Sequence, residues 1–155
     1  MNSYTSAVNV QKALESLSYG GYDTNLADAL RLVRTQVFTT QKGARLSDPS
    51  VARLVVVFTE NRSANRTATL AEATATRRAG IAIVTVGIGT AVDPYELSAV
   101  ASYPYYHTMF QVDRLRHLDS LSDPIKLIIC RGIYLFFALW FISYLLYDIN
   151  QGLGT

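Results

Sequence analysis

Residues 54–58 read Leu-Val-Val-Val-Phe and run without interruption into Thr59-Glu60-Asn61. Five consecutive apolar residues, mostly β-branched and with no alternating polar ones, predict a strand covered on both faces, the pattern of a parallel sheet packed between helices. A second run of the same kind occupies residues 81–86. Between them residues 67–79 are rich in alanine and carry Glu72, Arg77 and Arg78, a helix that Gly80 ends. Strand, helix, parallel strand is a right-handed crossover. In open sheets of this type ligands bind at the carboxyl ends of the strands, which places Thr59 and Glu60 on the edge available for binding.

The remaining chain extends the pattern. Upstream, Ala13, Leu14 and Leu17 predict a short helix over residues 11–19, and a Gly-rich turn holds Gly20, Gly21, Asp23, Thr24 and Asn25. Leu26, Leu30, Val33 and Val37 then recur at helical spacing, with Arg31 and Arg34 on the other side. Residues 41–50 form a polar loop with Gly43 and Pro49. Downstream, Pro94 opens a helix that runs to residue 101. Residues 108–112 make a third, shorter strand, and Asp113 is placed to cap a helix holding Leu115, Leu118 and Leu121. The fold class is α/β, a partial doubly wound parallel sheet followed by a C-terminal hydrophobic helix. The expected organisation is one domain over residues 1–123, a hydrophobic helix over 124–148 and a tail over 149–155.

Composition narrows the function. Half of the 155 residues are apolar and 17% are charged, which suits a globular core. The net charge of +2 is too small to imply nucleic acid, and the arginines are scattered over several elements. Cys130 is the only cysteine, so no intrachain disulfide or cysteine-based zinc site can form. Residues 1–10 lack the apolar run of a signal peptide, so an extracellular protein would need its export signal outside this sequence. Residues 133–147 contain no charge, fall just short of the ~17–25 needed to span a bilayer, and carry aromatics near both ends. Three readings stay open for that segment: a transmembrane helix, a gene-model artefact, or a buried or interfacial helix. Lys126 and Arg131 precede it and Asp148 follows it, which by the positive-inside tendency would put the globular part in the cytoplasm.

Many short strings agree in order and spacing with one family. Tyr19-Gly20-Gly21-Tyr22-Asp23-Thr24-Asn25, Ala29-Leu30, the run from Val55 through Thr59-Glu60-Asn61 to Ser63, and Arg78-Ala79-Gly80-Ile81 are followed by Val86-Gly87-Ile88-Gly89, Glu96-Leu97, Val100-Ala101-Ser102 and Phe110-Gln111-Val112. Together they resemble a von Willebrand factor type A domain of the matrilin and collagen type VI kind, over about residues 14–121. The resemblance covers only the later two-thirds of such a domain. It implies a metal-ion-dependent adhesion site. There a divalent cation, usually Mg²⁺, is held by an Asp-x-Ser-x-Ser loop, a Thr in the Gly-rich turn and the Asp of a Thr-Asp-Gly turn, and a carboxylate from the partner completes its shell. Such hard cations favour oxygen ligands.

Carried over by position, Thr24 matches the Thr ligand, Glu60 takes the Asp position and Asn61 the Gly position. Glu is one methylene longer, so its carboxylate would enter the ion's place or move the ion. Asp23, Asn25, Asn61 and Arg62 are the expected ligand face. The Asp-x-Ser-x-Ser loop is absent, since Asp48-Pro49-Ser50-Val51-Ala52 lacks the last Ser and precedes a strand. The chain is therefore expected to lack the family's first strand, leaving the strand at 54–58 with a bare apolar edge prone to aggregation.

Other motifs point elsewhere or nowhere. Asn61-Arg62-Ser63 and Asn65-Arg66-Thr67 are N-glycosylation sequons, and Asn61 and Asn65 are equally suited to a helix-capping loop. Gly87-Ile88-Gly89 lacks the third glycine of a nucleotide loop, so its glycines are expected to shape a tight strand-to-helix turn. His107 and His117 have no Cys or acid at metal-ligand spacing, and Asp119-Ser120 has no partner His for a triad. Tyr103-Pro104-Tyr105-Tyr106 is an aromatic loop that covers the sheet end or meets a partner. The expected function is a non-enzymatic adhesion module of extracellular-matrix type with a degenerate cation site, extracellular or membrane-associated, and a collagen-like matrix protein as partner. No nucleic acid or small-molecule substrate is expected. The alternative is a structural or non-functional fragment that binds neither metal nor ligand.

Overall fold

The computed structural model describes residues 6–18 and 24–130. In chain order the elements are α1 (Ala7–Glu15), α2 (Leu26–Leu32) with a π-helical turn over Val33–Val37, β1 (Arg53–Thr59), α3 (Arg66–Arg78), β2 (Ile81–Ile88), α4 (Pro94–Val100), the single turn α5 (Tyr105–Thr108), β3 (Met109–Val112), a 3-10 segment over Leu115–Leu121, and α6 (Ser122–Cys130). The three strands form one parallel sheet in the order β1-β2-β3, with Val56 opposite Val84 and Thr85 opposite Met109.

Every residue of β2 is buried. Its side chains alternate between two cores, as the period of two along a strand requires. Ala82, Val84, Val86 and Ile88 meet Val112 and Ile128 on one face, flanked by Leu118, Leu121 and Ile125. Ile83 meets Leu26, Leu30, Ala73 and Val100 on the other. Helices thus cover both faces, the doubly wound arrangement the apolar runs imply.

Capping fixes the helix ends. Ser6 accepts from the Asn9 N–H at the start of α1, Asn25 from Asp28 in α2, Asn65 from Ala68 in α3 and Asp93 from Tyr95 in α4. Gly80, with φ of 73°, follows α3 and turns the chain into β2.

The structure departs from the sequence reading in four places. β1 is not covered on both faces: six of its residues are half-buried and Phe58 is 55% exposed. Among the described residues β2 is its only strand neighbour, and an apolar run reads alike in a central and an outer strand. The first helix lies over Ala7–Glu15, with none of its residues buried and with Leu14 and the following Leu17 exposed. β2 extends to Ile88 and absorbs Gly87, so that Gly89, with φ of 80°, is the turn residue. Last, Asp113 caps no helix. The 3-10 segment starts after Arg114, and Asp113 instead pairs with His117, so that histidine does have an acid partner one helical turn away. Residues 133–147 lie outside the described residues, and among those described no helix is long and apolar enough to cross a membrane.

Candidate ligand-binding face

The face is built where β1 ends. Thr59 closes a tight turn on itself: its hydroxyl donates to the Asn61 carbonyl at 2.8 Å and accepts the Asn61 N–H at 3.3 Å. Glu60, Asn61 and Arg62, bracketed by that turn, are exposed. Two residues on, the Ala64 N–H donates to the Thr24 carbonyl at 3.0 Å. That backbone bond draws half-buried Thr24, and with it exposed Asn25, to the β1–α3 connection. Thr24, Asn25, Glu60, Asn61 and Arg62 therefore gather at the carboxyl edge of the sheet. Asp23 lies outside the described residues.

Other polar groups at this edge are already engaged. Asp28 accepts from Asn25 Nδ2 at 2.6 Å and from Arg31 at 2.5 Å. Arg66, at the start of α3, pairs with Asp93 at 3.5 Å. Glu96 is buried and accepts both the N–H and the hydroxyl of Ser63. For a hard divalent cation this leaves, among the described residues, one exposed carboxylate, Glu60, and the side chain of Thr24, whereas such ions take six or more oxygens. Among the described residues no group of three or more His, Cys, Asp or Glu is placed to hold a metal. These residues do not fit a complete cation site. Asp48 supplies no substitute, because its carboxylate accepts from the Ser50 N–H at 2.9 Å and hydroxyl at 2.5 Å in the loop before β1. Those two bonds hold its pKa below the usual carboxylate range.

The remaining candidates separate. Asn65 uses its side-chain oxygen to cap α3, accepting from the Ala68 N–H at 3.0 Å, and both sequon asparagines are exposed. In the aromatic loop Tyr103, Tyr105 and Tyr106 are exposed and Pro104 is buried. His107 is exposed with its ring 4.4 Å from Tyr106. His117 bonds Asp113 and thereby lowers the Asp113 pKa. Two structural roles were not readable from the sequence. Arg77 reaches the last carbonyls of α4, and Glu96 holds Ser63. The only sequence signal for Glu96 is an acid on the otherwise apolar inner face of a short helix.

The sheet, its two helical layers and the binding edge define a doubly wound α/β domain of the kind that binds at strand carboxyl ends. The von Willebrand factor type A domain family model matches residues 1–124, and the chain belongs to that family. It is 27% identical over 133 residues to Matrilin-2 of Mus musculus, covering 86% of this chain and 14% of that protein. To the Collagen alpha-4(VI) chain of Mus musculus it is 26% identical over 117 residues, covering 76% of this chain and 5% of that one. The chain thus spans a small part of the length of these relatives. Its fold is similar to that of proximal thread matrix protein 1 from the mussel byssus, solved with a zinc-occupied MIDAS motif, at a TM-score of 0.70 and 21% identity over 77% of this chain and 30% of that one.

Proposed function

We propose that the chain is a protein-binding module of extracellular-matrix type and not an enzyme. Its ligand face is Asp23, Asn25, Asn61 and Arg62, and its cation site is degenerate. One observation carries the reading: the Ala64-to-Thr24 backbone bond, which brings Thr24 against the β1–α3 connection at the carboxyl edge of the sheet. Thr24 and Glu60 are the residues of this chain that would touch a divalent cation, Mg²⁺ by the family's habit. With so few oxygens they hold it weakly, and the partner is recognised chiefly by the polar side chains around them. The partner class is an extracellular-matrix protein such as a collagen, which agrees with the family and with relatives that include a collagen VI chain. The setting is extracellular, where Asn61 and Asn65 would be open to glycosylation.

Calorimetric titration of the full chain with Mg²⁺ and Mn²⁺ tests the proposal. The expected dissociation constant is about 1 mM or weaker, at the soft end of extracellular cation sites. Glu60→Asp combined with Asn61→Gly should tighten it. Micromolar binding by the unmodified chain would overturn the degenerate-site reading. A second reading, a structural segment without a ligand of its own, is favoured by the exposure of Phe58 on β1 and by an α1 with no buried residue. It predicts that neither the native nor the altered chain binds cation or matrix protein.

A further inference from the structure

Glu96 is, among the described residues, the one buried charged side chain, at 5% exposure. It stands in the first turn of α4. Both carboxylate oxygens go to a single residue of another element: Oε2 accepts the Ser63 N–H at 3.2 Å, and Oε1 accepts the Ser63 hydroxyl. A buried carboxylate is costly unless its oxygens are hydrogen-bonded. The bonds from Ser63 offset that cost only while the segment after β1 keeps its present course, so the burial of Glu96 and the conformation of residues 60–63 are linked.

The platform from which Glu96 acts is well seated. Leu97 and Val100 of α4 are buried, and Leu97 lies against Gly87 of β2 so closely that a Cβ there would come within 2.5 Å of its Cδ1. Asp93, which caps α4, also reaches Arg66 at the start of α3 at 3.5 Å. The connection from β1 to α3 is thereby tied to α4 at Ser63 and at Arg66, and to Thr24 at Ala64.

We infer that Glu96 is a positioning residue for the ligand face: through Ser63 it fixes the course of the Glu60-Asn61-Arg62 segment without itself meeting the partner. The inference takes its ligand face from the function proposed above and deepens that reading. The same contacts could instead serve only the packing of α4, and removal of the carboxylate separates the two roles. A packing role loosens the whole domain. A positioning role loosens the segment beside Ser63 first.

The bond between Arg62 and Ser63 allows a direct test, because its amide N–H is the one Glu96 accepts and trypsin cleaves after Arg. Cleavage of a transiently opened segment follows the population of the open form when opening is fast. Hydrogen bonds to a charged acceptor correspond to roughly a tenfold to hundredfold change in that population. In the full chain, Glu96→Ala should raise cleavage at Arg62–Ser63 by about tenfold or more, with cleavage at Arg45–Leu46, in the exposed loop before β1, unchanged. Glu96→Gln keeps one acceptor oxygen and should restore part of the protection. Ser63→Ala removes the hydroxyl, leaves the backbone bond and disturbs no buried carbon. It should give a smaller rise confined to the same bond, and it serves as the test if Glu96→Ala does not fold. Equal rises at both bonds, or no rise at Arg62–Ser63 in Ser63→Ala, would overturn the inference. The readout needs neither cation nor partner. A selective rise in a chain that binds no cation and no matrix protein would therefore uphold the clamp while removing the function proposed for the face.

Discussion

Arg77 offers the sharpest test of how this fold is held together. It lies in the last turn of α3, and its Nη1 donates to the carbonyls of Val100 at 2.6 Å, Ala99 at 2.9 Å and Ala101 at 3.3 Å, while Nη2 donates to the Thr74 hydroxyl at 3.2 Å. Those three carbonyls end α4, where the backbone dipole is negative and intrahelical donors have run out. Burial lowers the Arg77 pKa, yet a guanidinium stays charged. Val100 and Ala101 are buried, so little water can take the guanidinium's place. One Nη1 has two hydrogens for three carbonyls, so the set is worth at most two full bonds. At ~1.5–3 kcal/mol for a hydrogen bond to a charged group, discounted for half-exposure, Arg77→Ala should cost about 2 to 3 kcal/mol. Urea unfolding followed by circular dichroism would show this as a midpoint lower by about 1 to 2 M with an unchanged slope. Arg77→Lys, which keeps the charge but not the fork, should recover part of the loss. Arg78→Ala, one residue on and exposed, should lie within about 0.5 kcal/mol of the parent. If Arg77→Ala matched Arg78→Ala, the helix-end role would be refuted, and the carbonyls would have to be satisfied by solvent.

Two further outcomes rest on particular contacts. A Cβ at Gly87 would stand 2.5 Å from Leu97 Cδ1 and 3.1 Å from Val92 Cγ2 inside a fully buried strand, so Gly87→Ala should overpack the α4–β2 contact and destabilise by about 1 to 3 kcal/mol in the same urea assay. The Asp113 pKa is depressed in the folded protein, first by its hydrogen bond to His117. A depressed carboxylate contributes stability above its unfolded pKa and loses it as the pH falls through the folded value, so this contribution is intact at neutral pH and disappears only below about pH 4. Carboxyl-carbon NMR titration should show the Asp113 midpoint rising toward the ordinary value in His117→Ala.

What the sequence reveals here depends on whether the decisive contact is local. β2 is legible because six apolar or β-branched residues in a row leave no polar face, and the structure buries all of them. The end of α3 is legible because Gly80 takes the positive φ that a side chain would resist. Among the described residues β2 is the one strand beside β1; residues 54–58 would have the same composition with a strand on either side, and the bare edge is expected only from the family resemblance. Asp113 looks like a cap because capping depends on the residue's place before a helix, but the helix start moved one residue and the carboxylate found His117 instead. Gly87 and Gly89 look alike in sequence, yet one is required by the close approach of Leu97 and the other by its own φ.

The binding edge depends most of all on contacts between distant parts of the chain. Thr59 shapes its own turn, which residue types alone suggest, since a Thr followed by a polar pair commonly closes in this way. The placement of that turn is decided by partners far away in sequence: Thr24 through the Ala64 N–H, and Glu96 through Ser63. Thr24 is marked for this site only through the family resemblance of its Gly-rich turn, and no local pattern marks Glu96 as part of it. A string of short motifs in the right order is therefore enough to fix the family, because each motif answers to its own strand or turn. The chemistry of the face turns on which oxygens remain uncommitted once those long-range bonds have formed, and here the acids Asp28, Asp93 and Glu96 are all committed to Asn25, Arg31, Arg66 and Ser63. Among the described residues the exposed carboxylate left at the end of β1 is Glu60, and the proposed recognition by polar side chains rests on that one long acid.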